Sequence, residues 1–347
     1  MPKKPVTFDI VIATRNRANA LELSIPLMLC SPLKPQKLVV IDSSDDHDAV
    51  VRAVQKSVSG YNGEVIIEYS ATPGTSLQRN IGMAYSKADV IIFPDDDSLF
   101  FNNTVEVMLR VYQLDTEKQV SAVCSAEAET PPPEANLETA YAQSKTDTWK
   151  KAISALRFKL ERKYFPDPFL RHGQLAAQKL IAPDWLEEEN CILAEYMTGF
   201  RMSFRGEVIK KVRFNETFKR YGLFEDTDAS FGALESGLII GARNTQIYHH
   251  KFPGKRDNGL TLGFLQILNR AYIIAKHSAN EPKTVKQLYM FSRYKVFQYA
   301  IAATGQFQRD RLKGAIAAYK SMSRLLNCSA ENLDKTYSHI IDELIKK

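Results

Sequence analysis

Between Phe8 and Asp97, short apolar runs alternate with segments of helical period, and this alternation leaves the chain few architectures. Phe8-Asp9-Ile10-Val11-Ile12-Ala13, Lys37-Leu38-Val39-Val40-Ile41, Glu64-Val65-Ile66-Ile67-Glu68-Tyr69 and Val90-Ile91-Ile92-Phe93 each have the length and bulk of a buried strand. Residues 18–30, 49–58 and 77–86 between them read as helices, and Leu21, Ile25 and Leu29 recur at helical spacing in the first. Strands joined through helices by short links pair in parallel, with helices on both faces of the sheet. The expected fold class is therefore α/β, Rossmann-like, with a mostly parallel central sheet. Ligands of such sheets sit outside the carboxyl ends of the strands.

The polar groups fall at those ends. Thr14, Arg15 and Arg17 follow the first strand, Asp42 the second, and Asp95-Asp96-Asp97 the fourth. Three adjacent carboxylates repel one another, so they form either a well-solvated acidic turn or a site where a cation sits among their oxygens. Hard cations such as Mg2+ or Mn2+ prefer such ligands and bridge to phosphates. A cation, nearby basic side chains and a carboxylate for a ribose hydroxyl together suit a nucleoside diphosphate. Neither GxGxxG nor GxxxxGK[ST] follows the first strand, which argues against dinucleotide and P-loop enzymes.

These pieces resemble glycosyltransferase family 2, the inverting nucleotide-sugar enzymes of GT-A fold. The resemblance rests on Thr14-Arg15-Asn16-Arg17, Ile41-Asp42-Ser43-Ser44, Gly74, Arg79-Asn80, Gly82, and Ala88-Asp89 leading to Asp95-Asp96-Asp97, the family's DxD motif. It implies that Asp42 contacts the nucleoside. It further implies that Asp95 with Asp97 serves the ribose and the metal, Asp97 being the direct metal ligand, that Asp96 belongs to the nucleotide-sugar site, and that Arg79 lies near the diphosphate. Thr14, Arg15 and Arg17 complete the expected donor site.

After a helix at 104–114 and a strand at 120–124 the alternation stops. Thr130-Pro131-Pro132-Pro133 and the prolines at 166, 168 and 183 interrupt regular structure. Residues 126–190 read as an insertion near the acceptor side of a catalytic domain spanning 1–255. Within it Trp149, Ile153, Leu156 and Leu160 fall near helical spacing. Tyr164, Phe165, Phe169 and Trp185 either stack on sugar rings or, more in keeping with large aromatics, fill the insertion's own core.

A second organised stretch runs over 196–237. Residues 197–205 read as a strand and 208–212 as a short helix, and Phe224-Glu225-Asp226-Thr227-Asp228 leads into a helix at 229–235. Acidic residues there cap a helix in the ordinary way. The order of motifs also resembles the family's acidic pair. On that resemblance Asp226 is the base that takes the acceptor's proton, Glu225 orients the acceptor and Asp228 is the reserve. Strands at 238–242 and 245–248 precede His249-His250. Alternation sends the two rings to opposite faces, and His249 is the expected third metal ligand, with His250 the alternative. Residues 251–256 are basic and carry Pro253-Gly254, the composition of a loop that closes over a diphosphate.

Residues 256–347 read as helices, with Leu262, Leu265, Leu268 and Tyr272 along the first. Residues 251–347 hold 17 Lys and Arg against 7 Asp and Glu, while the whole chain is only +6. Such helices suit an anionic membrane surface, a partner or a homo-oligomer, or simply the catalytic domain. No run is long and apolar enough to cross a bilayer, no secretory leader is evident, and the four cysteines show no paired metal spacing. A cytoplasmic enzyme, peripheral at the inner face of the membrane, is expected. The reading that follows is a Mn2+- or Mg2+-dependent inverting transfer from a nucleotide sugar, UDP-sugar first, to a glycan or lipid-linked hydroxyl in bacterial surface polysaccharide synthesis, with no nucleic acid partner. The alternatives are a sugar-phosphate nucleotidyltransferase, whose Gly-rich loop is missing here, and a non-catalytic glycan- or nucleic-acid-binding protein.

Overall fold

The computed structural model describes residues 5–137, 161, 163–218, 222–252 and 258–345. The expected helical face of Trp149, Ile153, Leu156 and Leu160 lies outside the described residues, as does 253–256 of the basic loop. The chain divides into two compact units, Met1–Leu137 with Ala176–Gly254 and Glu138–Leu175 with Lys255–Lys347. Of the segment 126–190, residues 138–175 thus group with the C-terminal helices.

The first unit is built on one nine-stranded sheet. Its opening half is the expected alternation: β1 (Phe8–Thr14), α1 (Ala18–Leu29), β2 (Lys37–Asp42), α2 (His47–Ser57), β3 (Glu64–Tyr69), α3 (Thr75–Ala84) and β4 (Val90–Phe93). β3, β2, β1 and β4 lie side by side in that order, all parallel. Ile10, Ile12, Val40 and Ile92 are fully buried, each worth about 1.5–3 kcal/mol of transfer free energy. α3 lies so close to the sheet that a Cβ at Gly82 would stand 2.4 Å from Val11 Cγ1, which is why a glycine sits there.

The second half is mixed. β5 (Ser98–Phe100), α4 (Thr104–Leu114) and β6 (Val120–Glu127) are followed by β7 (Cys191–Leu193), β8 (Met202–Arg205), α6 (Gly206–Val212), α7 (Glu225–Leu234) and β9 (Leu238–His249). β8 runs antiparallel between β4 and β6, and β9 runs parallel to β6. The strand expected over 197–205 is shorter: Gly199–Arg201 winds into a 3-10 turn, and only Met202–Arg205 is extended. The helix expected from 229 begins four residues earlier, at Glu225, which puts the whole acidic cluster in its first turn. The two strand pieces before His249 are one strand with an irregular register against β6.

In the second unit, α5 (Pro168–Ala177) begins where prolines were expected to break the chain. Pro168 is its first residue, where the missing N–H costs nothing, and Asp167 Oδ1 accepts the Phe169 N–H at 3.0 Å. Four helices follow: α8 (Gly259–Ser278), α9 (Pro282–Ile301), α10 (Gln306–Leu326) and α11 (Leu333–Ile345). α8 and α10 touch backbone to backbone. A Cβ at Gly259 or Gly263 would stand 2.1 or 2.0 Å from the carbonyl oxygens of Phe307 and Arg311. Phe169 is buried beneath Arg270 and Phe165 stacks on Tyr294 at 4.4 Å, while Trp185 packs against the first unit's core. Three of the four aromatics thus serve packing, the favoured of the two readings, though Trp185 does so on the first unit's core rather than the insertion's own, and Tyr164 is exposed.

Candidate active site

The site lies at the carboxyl ends of β1, β2 and β4, and the strand pairing brings its parts together. Asp42 pairs with Thr14 in the β1–β2 register, and Asp95 bridges Ala13 just beyond β4. Gln78 of α3 locks the ends of β1 and β2 by donating to Thr14 O (2.8 Å) and Ile41 O (2.7 Å).

The three aspartates separate into three environments. Asp96 turns inward, where its Oδ2 accepts the Thr14 hydroxyl at 2.8 Å and its Oδ1 accepts Arg17 Nη1 at 3.0 Å. Burial pushes its carboxyl up to about 7, against the pull of Arg17. Asp97 is 2% exposed, and its Oδ2 accepts Arg17 Nη1 at 3.2 Å and the Phe252 N–H at 2.9 Å. Burial alone would raise Asp97, but His249, the Phe252 N–H and Arg17 outweigh it and hold the carboxyl below its ordinary value. Asp95 is the most open of the three, and its Oδ1 accepts Arg79 Nη2 at 2.8 Å.

His249 ends β9 with its ring stacked on Phe200 at 4.6 Å, and its Nε2 lies 3.3 Å from Asp97 Oδ1. That oxygen is buried and, beyond this ion-pair contact, has no hydrogen-bond partner among the described residues. Asp95, Asp97 and His249 each offer one ligand atom, all within 4.8 Å of one another. Two carboxylates and an imidazole around an unsatisfied buried oxygen fit a divalent cation such as Mn2+. His250 contributes differently, through a backbone N–H donated to Asp97 O at 3.1 Å.

The acidic pair stands within one guanidinium's reach of that trio. Arg79 is 1% exposed, and its Nη1 donates to Glu225 Oε1 at 2.6 Å while its Nη2 holds Asp95. Its ring partner is Phe214, 5.4 Å away. Asp226 Oδ2 accepts the Gly199 N–H and Oδ1 accepts the Thr227 N–H, both at 2.7 Å. The 3-10 turn at Gly199 aims that donor, and a Cβ there would stand 3.3 Å from Arg79 Nη2. Burial, then the charge of Asp226, pushes Glu225 up to about 8 against the pull of Arg79. Burial also raises Asp226, against the Thr227 N–H, Arg79 and the Gly199 N–H.

Residues 9–165 match the family described as Glycosyl transferase family 2. That stretch resembles the family 2 glycosyltransferases. Among curated protein sequences none matches. Solved structures do. Residues 1–349 of S. aureus TarS superpose with a TM-score of 0.53 at 11% identity, covering 98% of this chain and 91% of that one. The same TarS fragment in complex with UDP-GlcNAc gives 0.52 at 12%, covering 98% and 92%. The mannosyltransferase PcManGT from Pyrobaculum calidifontis, in complex with GDP-Man and Mn2+, gives 0.51 at 13%, covering 99% and 88%. At these identities the likeness is one of GT-A fold, and the family match makes this chain a glycosyltransferase.

The other expected residues differ in their surroundings. Thr14 and Arg17 spend their polar groups on Asp96 and Asp97. Arg15 is exposed, with no side-chain partner among the described residues. Asp42 is wholly buried: Ser44 donates its N–H (2.9 Å) and its hydroxyl to Oδ1, and His47 Nδ1 meets Oδ2 at 2.8 Å. Asp228 is buried within α7. Sequence reading missed the Gly199 N–H and His47. The first had no signal, because the turn depends on tertiary packing. The second stood five residues after Asp42, across the short loop that joins β2 to α2.

Proposed function

We propose that this glycosyltransferase moves a sugar, with inversion, from a nucleoside-diphosphate donor to a hydroxyl of a glycan or lipid-linked acceptor. Asp95, Asp97 and His249 would hold Mn2+ or Mg2+, which when bound offsets charge on the departing diphosphate. Asp226 accepts the proton of the attacking hydroxyl on the face opposite the leaving group, with its carboxylate oriented by the Gly199 and Thr227 N–H groups. Glu225 positions the acceptor, and Arg79 sets the acidic pair beside the metal trio. The observation that carries this reading is that one buried guanidinium touches both groups. UDP is the proposed nucleotide, and surface polysaccharide synthesis in the cytoplasm the proposed setting.

Calorimetric titration with UDP, with and without Mn2+, tests the donor site. Wild-type binding is expected to depend on the metal and to weaken by roughly 100-fold or more in Asp97→Ala, since even outer-shell partners of a metal are worth 10–100-fold. Asp97→Asn, which keeps the side chain's volume, should lose as much. Binding that ignores both substitutions would sink the proposed site.

The exposed face of α9 has the pattern of a membrane contact. Lys283, Lys286, Met290, Arg293, Phe297 and Ile301 recur every three or four residues on the exposed face of α9, with no acidic residue among them. Phe297 is 60% and Ile301 69% exposed. We propose that this face lies on anionic lipid, which rewards both apolar insertion and positive charge. Sedimentation with phosphatidylglycerol-containing vesicles should show binding that falls with salt and drops about tenfold or more in Phe297→Glu/Ile301→Glu. Equal binding by the double variant would rule the face out.

A further inference from the structure

The candidate active site uses the carboxyl ends of β1, β2 and β4. At the opposite end of the same sheet lies a cleft of about 620 Å3, inside the range of roughly 300–1,000 Å3 usual for small-molecule sites. It sits before the amino ends of β1, β4 and β6 and at the carboxyl end of the antiparallel β8, and every residue lining it belongs to the first unit.

The buried charge in its lining is Arg205, the last residue of β8, 8% exposed. Nε donates to Val120 O at 2.7 Å and Nη2 to Asp115 Oδ2, and the guanidinium lies over the Tyr112 ring, 5.2 Å from its centre. Asp115 is spent within the protein, since it also accepts the Gln119 and Val120 N–H groups at 2.8 and 2.9 Å. Nη1 has no hydrogen-bond partner among the described residues, yet it is not one of the sealed orphan atoms, so it opens on the cleft. A guanidinium nitrogen fixed in place and left unmatched calls for an acceptor from outside. The rim adds Lys87, Lys118 and Lys210, all exposed. Two more carboxylates share the cleft. Asp89 is occupied by the Thr7 N–H and hydroxyl at 2.9 and 2.7 Å, and Glu207 stands 3.9 Å from Lys118 in a loose surface pair. Four cations thus face three carboxylates, two of which are already satisfied.

We propose that this cleft binds a small phosphorylated metabolite, with Arg205 Nη1 and the rim lysines on the phosphate and the organic body against Pro5 and Val6. Phosphate is the better match than carboxylate. A carboxylate takes two parallel bonds from a guanidinium fork, and here Nε and Nη2 are both used inside the protein. One free nitrogen and three mobile ammoniums are point donors from different directions. They suit a tetrahedral group with three strong acceptor oxygens and a charge of about −2. Nothing in this site draws on the proposed donor site, so the two readings fail separately.

Calorimetry on metal-free protein at low salt, with glucose 6-phosphate, inorganic phosphate and acetate as probes, tests the cleft. Glucose 6-phosphate should bind at least as tightly as inorganic phosphate, and acetate about tenfold or more weakly. Lys87→Glu/Lys210→Glu reverses two exposed rim charges without touching the buried pair. It should weaken glucose 6-phosphate by about tenfold or more while the thermal midpoint holds. Arg205→Lys keeps a cation on Asp115 but has no Nη1, and should lose about as much; the rim variant carries the test if that substitution disturbs the fold. Asp97→Asn, and saturation with UDP and Mn2+, should leave the affinity for glucose 6-phosphate unchanged. Acetate binding equal to phosphate, affinity that ignores the rim variant, displacement by UDP with Mn2+, or no binding of either phosphate would each overturn the proposed site.

Discussion

Replacing Asp226 by asparagine is expected to lower the rate of sugar transfer by about 10^2–10^4, the ordinary worth of a positioned general base. Nucleotide binding should stay within about twofold of wild type, since Asp226 is not among the trio proposed to hold the metal. The asparagine retains one oxygen to accept from Gly199 or Thr227, so the fold has no large reason to fail; facing the other N–H with an amide costs about 1 kcal/mol. The pH dependence separates a base from a merely structural group. A base works ionised, and burial raises the Asp226 carboxyl above its ordinary value. The wild-type rate should therefore rise with pH along a limb displaced upward from the usual carboxylate range. In Asp226→Asn the residual rate should lack that limb. Glu225→Gln provides the contrast: a group that positions the acceptor should act mainly through the acceptor KM. Full transfer by Asp226→Asn would move the base role elsewhere, with Asp228 next in line.

Much of this was legible before any coordinates, for a physical reason. β1, β2 and β4 are buried on both faces and β3, at the sheet's edge, is half-buried, so each announces itself as an apolar run, and all four lie within a residue or two of the expected bounds. The same local logic located the aspartate turn and the acidic first turn of α7. It failed where structure depends on distant partners. β5 is three residues long and exists because it pairs with β9, some 150 residues later. The turn at Gly199 looked like continuous strand because its backbone answers to Asp226 and Ser98 rather than to its own side chains. Arg79 and Glu225 are 146 residues apart, so no spacing rule could join them. The partners of Asp42 were out of reach for a related reason: composition cannot show that a carboxylate is hydrogen-bonded by Ser44 and His47.

Arg79→Met should have the largest structural effect of any single change at the site. The methionine fills much of the space above Phe214, but Glu225 and Asp95 lose their shared cation. Removing one partner of a buried ion pair costs about 3–5 kcal/mol. Asp95 is partly open to solvent, so the lower figure applies, and the thermal midpoint should fall by roughly 6–12 °C. Two further results follow from the same charge. Arg79 pulls the Glu225 and Asp226 carboxyls down, so without it both rise further and the pH limb of any residual transfer moves upward. Asp95 loses the guanidinium that hydrogen-bonds it, so Mn2+ should stabilise the variant against unfolding by more than it stabilises the wild type. A melting point that drops with no upward pH displacement and no added response to Mn2+ would make Arg79 a packing residue only. All three changes together would establish it as the electrostatic link between the proposed base and the proposed metal site.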